Sequence, residues 1–309
     1  MAPSAGHFFS SSMIFMLSLL CGFFLPQGAF LGKWLILPAL AVTVTLNLLK
    51  FPRGFFRKPA ALFYSSLHGN LMNYVICGSL VILSGAFLIE KQELWMGLVL
   101  VAAMPASLQS THFIASPFVD KNFLMTGISG TYFGALLFIP LTGFCFLKYA
   151  QISVWNISLL VLLLICLPIV ASRMAIENNG IQAIKKYEDI GLHLCEFIIY
   201  YTLAATGVSY LVHFSIDIVF TLIIAFSATI ILGFLIRKID SYFLHEHDDK
   251  VNPLIILGTM KNSGLAGGIA LTVFNPEVAV PALIFSFFTF INALWLHWTF
   301  RHGEALTDH

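Results

Sequence analysis

Ten runs of mainly apolar residues follow one another along the chain, separated by short polar stretches: 8–26, 33–50, 60–84, 94–114, 122–146, 154–172, 191–212, 216–237, 252–274 and 279–300. A helix that crosses a bilayer needs about 20 such residues. Lipid offers no hydrogen bonds to an open backbone, so runs of this kind must be helices or strands of a closed barrel. They are too long and too continuous for barrel strands. The pattern therefore predicts an all-α integral membrane protein with ten transmembrane helices. Pro26, Pro59 and Pro253 punctuate helix ends.

Five helices followed by five more form an odd-numbered repeat, which enters the membrane the second time from the opposite side. That is the inverted-topology plan common among secondary transporters. The first repeat is expected over 8–146 and the second over 154–300. Their loops differ, since the long polar connection from about Arg173 to Ile190 faces only Gln27 to Gly32 in the first half.

Ten spans place both termini on one side. Twelve basic residues fall there: Lys50, Arg53, Arg57, Lys58, Lys121, Arg173, Lys185, Lys186, Arg237, Lys238, Lys250 and Arg301. Lys33, Lys91 and Lys148 fall on the other. The asymmetry makes both termini cytoplasmic, in a multi-pass protein of the cell (plasma or inner) membrane. Trp34, Trp95 and Trp155 start external ends of runs, and Trp295 and Trp298 lie near an internal end, at headgroup depth.

Composition agrees with lipid as the main solvent. The chain has 309 residues, 59% hydrophobic and 10% charged, with a mean hydropathy of +0.90. Soluble domains carry about a quarter charged residues. A net charge of +1 gives no footprint for nucleic acid. No basic residue precedes the first run, and the first Lys or Arg is Lys33, so that run reads as a retained helix rather than a secretory signal. Cys21, Cys77, Cys145, Cys166 and Cys195 lie in or beside apolar runs and have no metal or disulfide spacing.

Candidate chemistry gathers in the fourth and ninth runs, which hold matching places in the two halves. The fourth is interrupted by Pro105, followed by Ser107, Gln109, Ser110 and Thr111. The ninth is weakened by Gly258, Gly264, Gly267 and Gly268, with Thr259, Met260, Lys261, Asn262 and Ser263 between them. Paired interruptions of this kind are the best sequence pointer to a transporter's binding site. Taken singly, a proline kink and small residues for close packing explain each one. Lys261 is the sharpest residue. A lysine at mid-bilayer costs about 2.5–3.5 kcal/mol on insertion scales. Snorkelling cannot reach either surface from there, so the amine must face a polar cavity, find a partner or lose its proton.

Weaker candidates are Asn70 and Asn73, which share a helix face, with His68 beside them, and Thr126, Ser129 and Thr131 on the fifth run. Glu196 and Asp217 lie close enough to helix ends to reach the interface. His245-Glu-His247-Asp-Asp249 reads as a solvated loop rather than a metal site. No nucleophile elbow, Walker loop or zinc helix motif occurs. His68 and His112 are the histidines well inside spans, and neither has an acidic companion. The sequence therefore implies no enzyme, no cofactor and no metal.

Several stretches carry a resemblance. Met260-Lys-Asn-Ser-Gly-Leu-Ala266, with Asn275-Pro-Glu-Val-Ala-Val-Pro281 after it, is similar to the ninth and tenth helices of the bile acid:sodium symporter family, whose core runs Glu-x-Gly-Met-Gln-Asn-Ser-x-Leu-Ala. Residues 105–111 fall where that family has Pro-Gly-Gly-Thr-x-Ser-Asn, and 40–59 resemble its second helix and basic loop. The resemblance implies the NhaA-like fold. A core domain of helices 3–5 and 8–10 has its fourth and ninth helices crossing at their breaks, beside a panel domain of helices 1, 2, 6 and 7. The family's sodium-binding glutamate falls on Leu257, its glutamine on Lys261 and its helix-4 asparagine on Thr111. Of two sodium-site hydroxyls on the fifth helix, Thr126 keeps one and Gly130 loses the other.

Sodium needs hard oxygen ligands. Losing a carboxylate and gaining an ammonium should exclude a cation from that place. The expected function is alternating-access transport of a small organic anion, independent of sodium, with Lys261 replacing the sodium charge and protons as the open coupling partner. The alternatives are a sodium-coupled symporter with a rearranged ion site, or a channel or receptor on the same scaffold. The sequence sets neither the solute nor an oligomeric state.

Overall fold

The structure, a computed structural model, describes residues 5–52, 55, 59–146, 154–177, 184–212, 215–244 and 247–307. Arg53, Arg57, Lys58, Lys148, His245 and Glu246 lie outside the described residues, as does the side chain of Arg301.

The described residues are helical almost throughout. α1 (Ala5–Phe24) leads through a short 3₁₀ turn at Pro26–Gly28 into α2 (Ala29–Leu48). α3 (Pro59–Asn70) widens into a π-type stretch, Leu71–Gly78, and continues as α4 (Ser79–Leu88). α5 (Gln92–Ala103) is followed by a 3₁₀ segment, Leu108–Ala115. Next come α6 (Lys121–Phe146), α7 (Val154–Glu177) and α8 (Glu188–Val212). α9 (Ile216–Phe226) and α10 (Leu232–Ile239) are joined by π-type winding at Ser227–Ile231, and similar winding at Asp240–Leu244 ends the run. α11 (Asp248–Thr259), α12 (Ser263–Val273), a 3₁₀ turn at Pro276–Ala279 and α13 (Val280–Thr307) complete the chain.

Seven continuous helical stretches among the described residues, with α3–α4 and α9–α10 each counted as one through their π-type windings, are long and apolar enough to cross a bilayer, and three shorter apolar helices accompany them. The fourth and ninth apolar runs are each two pieces. Pro105 has no N–H to continue α5, and the chain is already extended at Met104 and again at Ser107. Around α12 the chain leaves the helix at Met260 and re-enters at the Asn262 N-cap. Elsewhere the helices outrun the apolar stretches: α7 continues to Glu177, and α8 starts at Glu188 rather than at 191.

The outer surface and interior are reversed relative to a soluble protein. Phe87 is 86% exposed, Phe24 77% and Trp34 75%, while Asn73, Ser110, Thr131 and Asn292 are fully buried. Apolar side chains in that number facing outward are stable only against lipid. The protein is an all-α, multi-pass membrane protein.

Inside, α8 packs along α1 and α2, α3 against α6, and α12 against α5 and α13. The α8 seam is tight. A Cβ placed on Gly22 would lie 2.6 Å from Ala204 Cβ and 2.8 Å from the Ala205 nitrogen, and one on Gly32 would run into the Thr202 hydroxyl. Small residues let membrane helices approach this closely. At the end of the molecule where α5 begins, Lys91 Nζ meets Glu277 Oε1 at 2.5 Å, and the Asp217 carboxylate accepts the Glu90 N–H at 3.2 Å. The Glu277 carboxylate raises the Lys91 pKa above the ordinary lysine value.

Gly22→Val should force α1 away from backbone atoms of α8 that cannot yield, costing about 1–3 kcal/mol by overpacking. The measurement is the thermal-unfolding midpoint in detergent, with Phe87→Leu on the lipid face as the control that leaves it unchanged.

Candidate functional site

The two chain breaks meet. Ala106 and Lys261 pair as an isolated antiparallel bridge. Ser107 N–H donates to the Met260 carbonyl at 2.7 Å, and Asn262 N–H donates to the Pro105 carbonyl at 2.9 Å. Each break thus supplies partners that the other's interrupted helix lacks. Side chains complete the set. Ala106 N–H donates to Thr131 Oγ1 at 3.1 Å, and the Thr131 hydroxyl donates onward to the Ile128 carbonyl. Ser107 Oγ accepts from the Gln109 N–H, and Asn262 Oδ1 accepts from the Leu265 N–H, so each caps the piece that follows it.

Lys261 sits at the centre of this junction and is 1% exposed. Its ammonium donates to the Ala102 carbonyl at 2.6 Å and the Met104 carbonyl at 3.1 Å, and lies 5.0 Å from the centre of the Tyr74 ring. The Ala102 and Met104 oxygens belong to the open C-terminal end of α5, where the helix dipole is negative. Two charge-assisted hydrogen bonds contribute about 1.5–3 kcal/mol each. That sum is of the same size as the roughly 2.5–3.5 kcal/mol of inserting a lysine at mid-bilayer, so the carbonyl pair offsets the cost of burying the amine. Asn73 Nδ2 donates to the same Met104 carbonyl at 3.0 Å, and the Tyr74 hydroxyl donates to the Thr131 carbonyl at 2.6 Å. Ala102 and Met104 offer a carbonyl pair that would suit a bound cation, and Lys261 has taken both.

Two small cavities lie beside the junction. One, of about 40 Å³, is bordered by Ser11, Gln109, Tyr200, Met260, Ser263 and Thr289, among others. The second, of about 30 Å³, is bordered by Thr43, Asn47, Ser107, Gln109, Glu196 and Asn262, and also touches Tyr200. Gln109 and Tyr200 border both. Each has room for a water or two, while a drug-sized solute needs roughly 300–1,000 Å³. A solute therefore enters only if the surrounding helices part. Thr289 Oγ1 is buried in the wall of the first cavity with no hydrogen-bond partner. In the second, the caps Ser107 and Asn262 bring two N-terminal segment ends, positive by their dipoles, to one space.

The expected site residues divide between these places. Gln109, Met260, Ser263, Ser107 and Asn262 border the cavities. Pro105 and Lys261 build the junction and face neither cavity. Thr259 is buried and accepts from Asn292 Nδ2 at 2.9 Å, and the Ser110 hydroxyl lies 3.7 Å from Met260 Sδ. Thr111 bridges Asn47 and the exposed Lys50 at 3.4 Å each. Thr126 is buried on α6, and its carbonyl accepts from Ser66 Oγ. Asn70 and Asn73 act in different places, because the wider winding that begins at Leu71 turns them apart. Asn70 Nδ2 reaches the Gly130 carbonyl at 3.1 Å, and Asn73 reaches the end of α5.

Glu196 corrects the sequence reading. It does not reach the interface: it is 5% exposed, and its carboxylate accepts from Gln109 Nε2 at 3.2 Å. α8 begins three residues before the apolar run, which sets Glu196 about 12 Å along the helix. Asp217 is likewise buried, at 9% exposed. Tyr200 and Thr289 were missed as well. Tyr200 could have been found one turn beyond Glu196 on the same helix face, whereas nothing in the sequence marks Thr289. Among the described residues no cluster of three His, Cys, Asp or Glu side chains could hold a metal ion.

A scan against models of known protein families finds no match for this chain, and a search of curated proteins finds none either.

Lys261→Met should leave the Ala102 carbonyl buried without its donor, while the Met104 carbonyl keeps the Asn73 amide. A cost of about 1–3 kcal/mol is expected for the unsatisfied group, read as a lower unfolding midpoint in detergent. Lys261→Arg should not restore it, since the planar guanidinium cannot occupy the space of a compact ammonium.

Proposed function

We propose that the chain is a secondary transporter of a small organic anion, on the ten-helix, two-repeat plan of the bile acid:sodium symporters, with a core domain moving against a panel domain. The observation that carries this reading is the Lys261 ammonium seated on the α5 carbonyls at the meeting point of two broken helices. Paired breaks at membrane depth expose backbone that a carrier uses to hold solute or ion. Here the positive charge is built into the chain, so transport does not draw on sodium. The anion is held near the Ser107 and Asn262 segment ends, which have positive dipoles and border one cavity. The buried, unpartnered Thr289 hydroxyl is a ready donor in the neighbouring cavity.

Both cavities lie toward the end of the molecule where Lys50 meets Thr111 and Ser11 meets His193. By the distribution of basic residues that end is cytoplasmic, in the cell membrane, and this conformation is closed around the site.

The test is uptake into proteoliposomes of taurocholate, pyruvate and pantothenate, which span amphipathic and small carboxylated anions. At least one should accumulate by saturable counterflow, at the same initial rate when choline replaces sodium, and Lys261→Ala should abolish it. Uptake that rises steeply with sodium and ignores Lys261→Ala would overturn the reading. So would binding without counterflow, or ionic currents beyond carrier turnover, which mark a receptor and a channel.

A further inference from the structure

We infer that Glu196 is the proton-carrying group of this transporter, and that an anion enters the cavity beside Gln109 only together with a proton on that carboxyl group. The inference rests on the anion-carrier reading above. Its starting point is geometric. Glu196 is the carboxylate bordering the cavity where the two capped segment ends point, and its hydrogen bond to Gln109 ties α8 to the broken segment. Once the helices part to admit a solute, its negative charge and that of the buried Glu196 carboxylate would stand side by side in a low-dielectric interior, where they repel strongly. One of them must be neutralised before an anion can stay. Lys261 cannot do this, because its donors are already committed to Ala102, Met104 and the Tyr74 ring.

The groups around Glu196 leave it the proton site. From the broken segment it meets the neutral amide of Gln109, with His112 farther on in the wall of the other cavity. From the end of α2 comes the charge of Lys50, which is exposed and also answers Glu188 and Asp189. On α8 itself, Tyr200 lies one turn deeper, Cys195 is adjacent, and His193 is engaged with Ser11.

Each step is a proton transfer and a solute binding event. Water at the Lys50 end delivers a proton to one Glu196 oxygen. Gln109 keeps its bond to the other oxygen, and the new O–H donates to an anionic oxygen of the solute. No bond of the solute changes. Both leave on the far side, one proton per anion, so a monoanion crosses with no net charge moved. Intramembrane carboxyl groups in transporters commonly carry protons in this way.

The experiment is calorimetric binding of taurocholate, pyruvate and pantothenate to the purified full chain, from mildly acidic to mildly alkaline pH. Each titration is repeated in two buffers of different ionisation enthalpy, which counts protons taken up. Above the Glu196 titration the wild type should take up one proton per anion, with affinity falling tenfold per pH unit, and below it both the uptake and the slope should vanish. Glu196→Gln, isosteric and permanently neutral, should bind the same anion with no proton uptake and no pH slope. Wild-type binding that stays free of proton uptake through the alkaline end of the range overturns the inference and leaves the carrier reading intact, as does a slope that persists in Glu196→Gln. If neither protein binds any of the three anions at any pH, the carrier reading itself fails. The wild-type proton count decides the matter even if Glu196→Gln does not fold.

Discussion

The structure depends on how two interrupted helices satisfy their open backbone ends where no water can help. In hydrocarbon a free carbonyl or N–H costs several kcal/mol, and each break opens several of them. The chain solves this by setting the breaks against each other, so that Pro105 and Met260 carbonyls meet the Asn262 and Ser107 N–H groups. What remains open at the end of α5 is closed by the Lys261 ammonium. Neither break is stable without the other. That dependence fixes α5, α11, α12 and the segment from Leu108 as a single unit around which the rest of the fold is arranged.

A second constraint follows from the first. A junction whose backbone carbonyls are already engaged is a poor ligand cage, although the Asn73 Oδ1 beside it is buried without a partner. The other residues with spare capacity lie one layer out, at Gln109, Glu196, Tyr200 and Thr289, between the junction and α8 or α13. Structural lysine and exchangeable polar groups are therefore separate, though adjacent, in space. Solute binding at the outer layer need not unravel the backbone pairing at the inner one.

Much of the architecture was legible in the sequence, since the lipid constraint acts on every residue of a run. Apolar length located the helices, and Pro105 together with Gly258 and Gly264 located the interruptions. The burial of Lys261 followed from its distance to either surface. The direction of its side chain did not, because the acceptors lie 159 and 157 residues earlier in the chain, at the end of α5. Glu196 was misjudged because an apolar run understates a helix that begins with Glu188 and Asp189, and three residues of error at the start hid its depth. The wide winding at Leu71–Gly78 has no proline to announce it and ends on a single glycine, so the separation of Asn70 from Asn73 lay beyond any periodic reading.

The seam along α8 carries one more implication. At Gly22 and Gly32 the first two helices touch α8 with no side chain of their own in between. A joint without intervening side chains has little room to repack, so a bulkier residue on any of the three helices must displace backbone rather than a neighbouring rotamer. Leu31, Trp34 and Leu35 on the exposed side of α2 and the buried Glu196 on α8 thus belong to one closely packed set of helices.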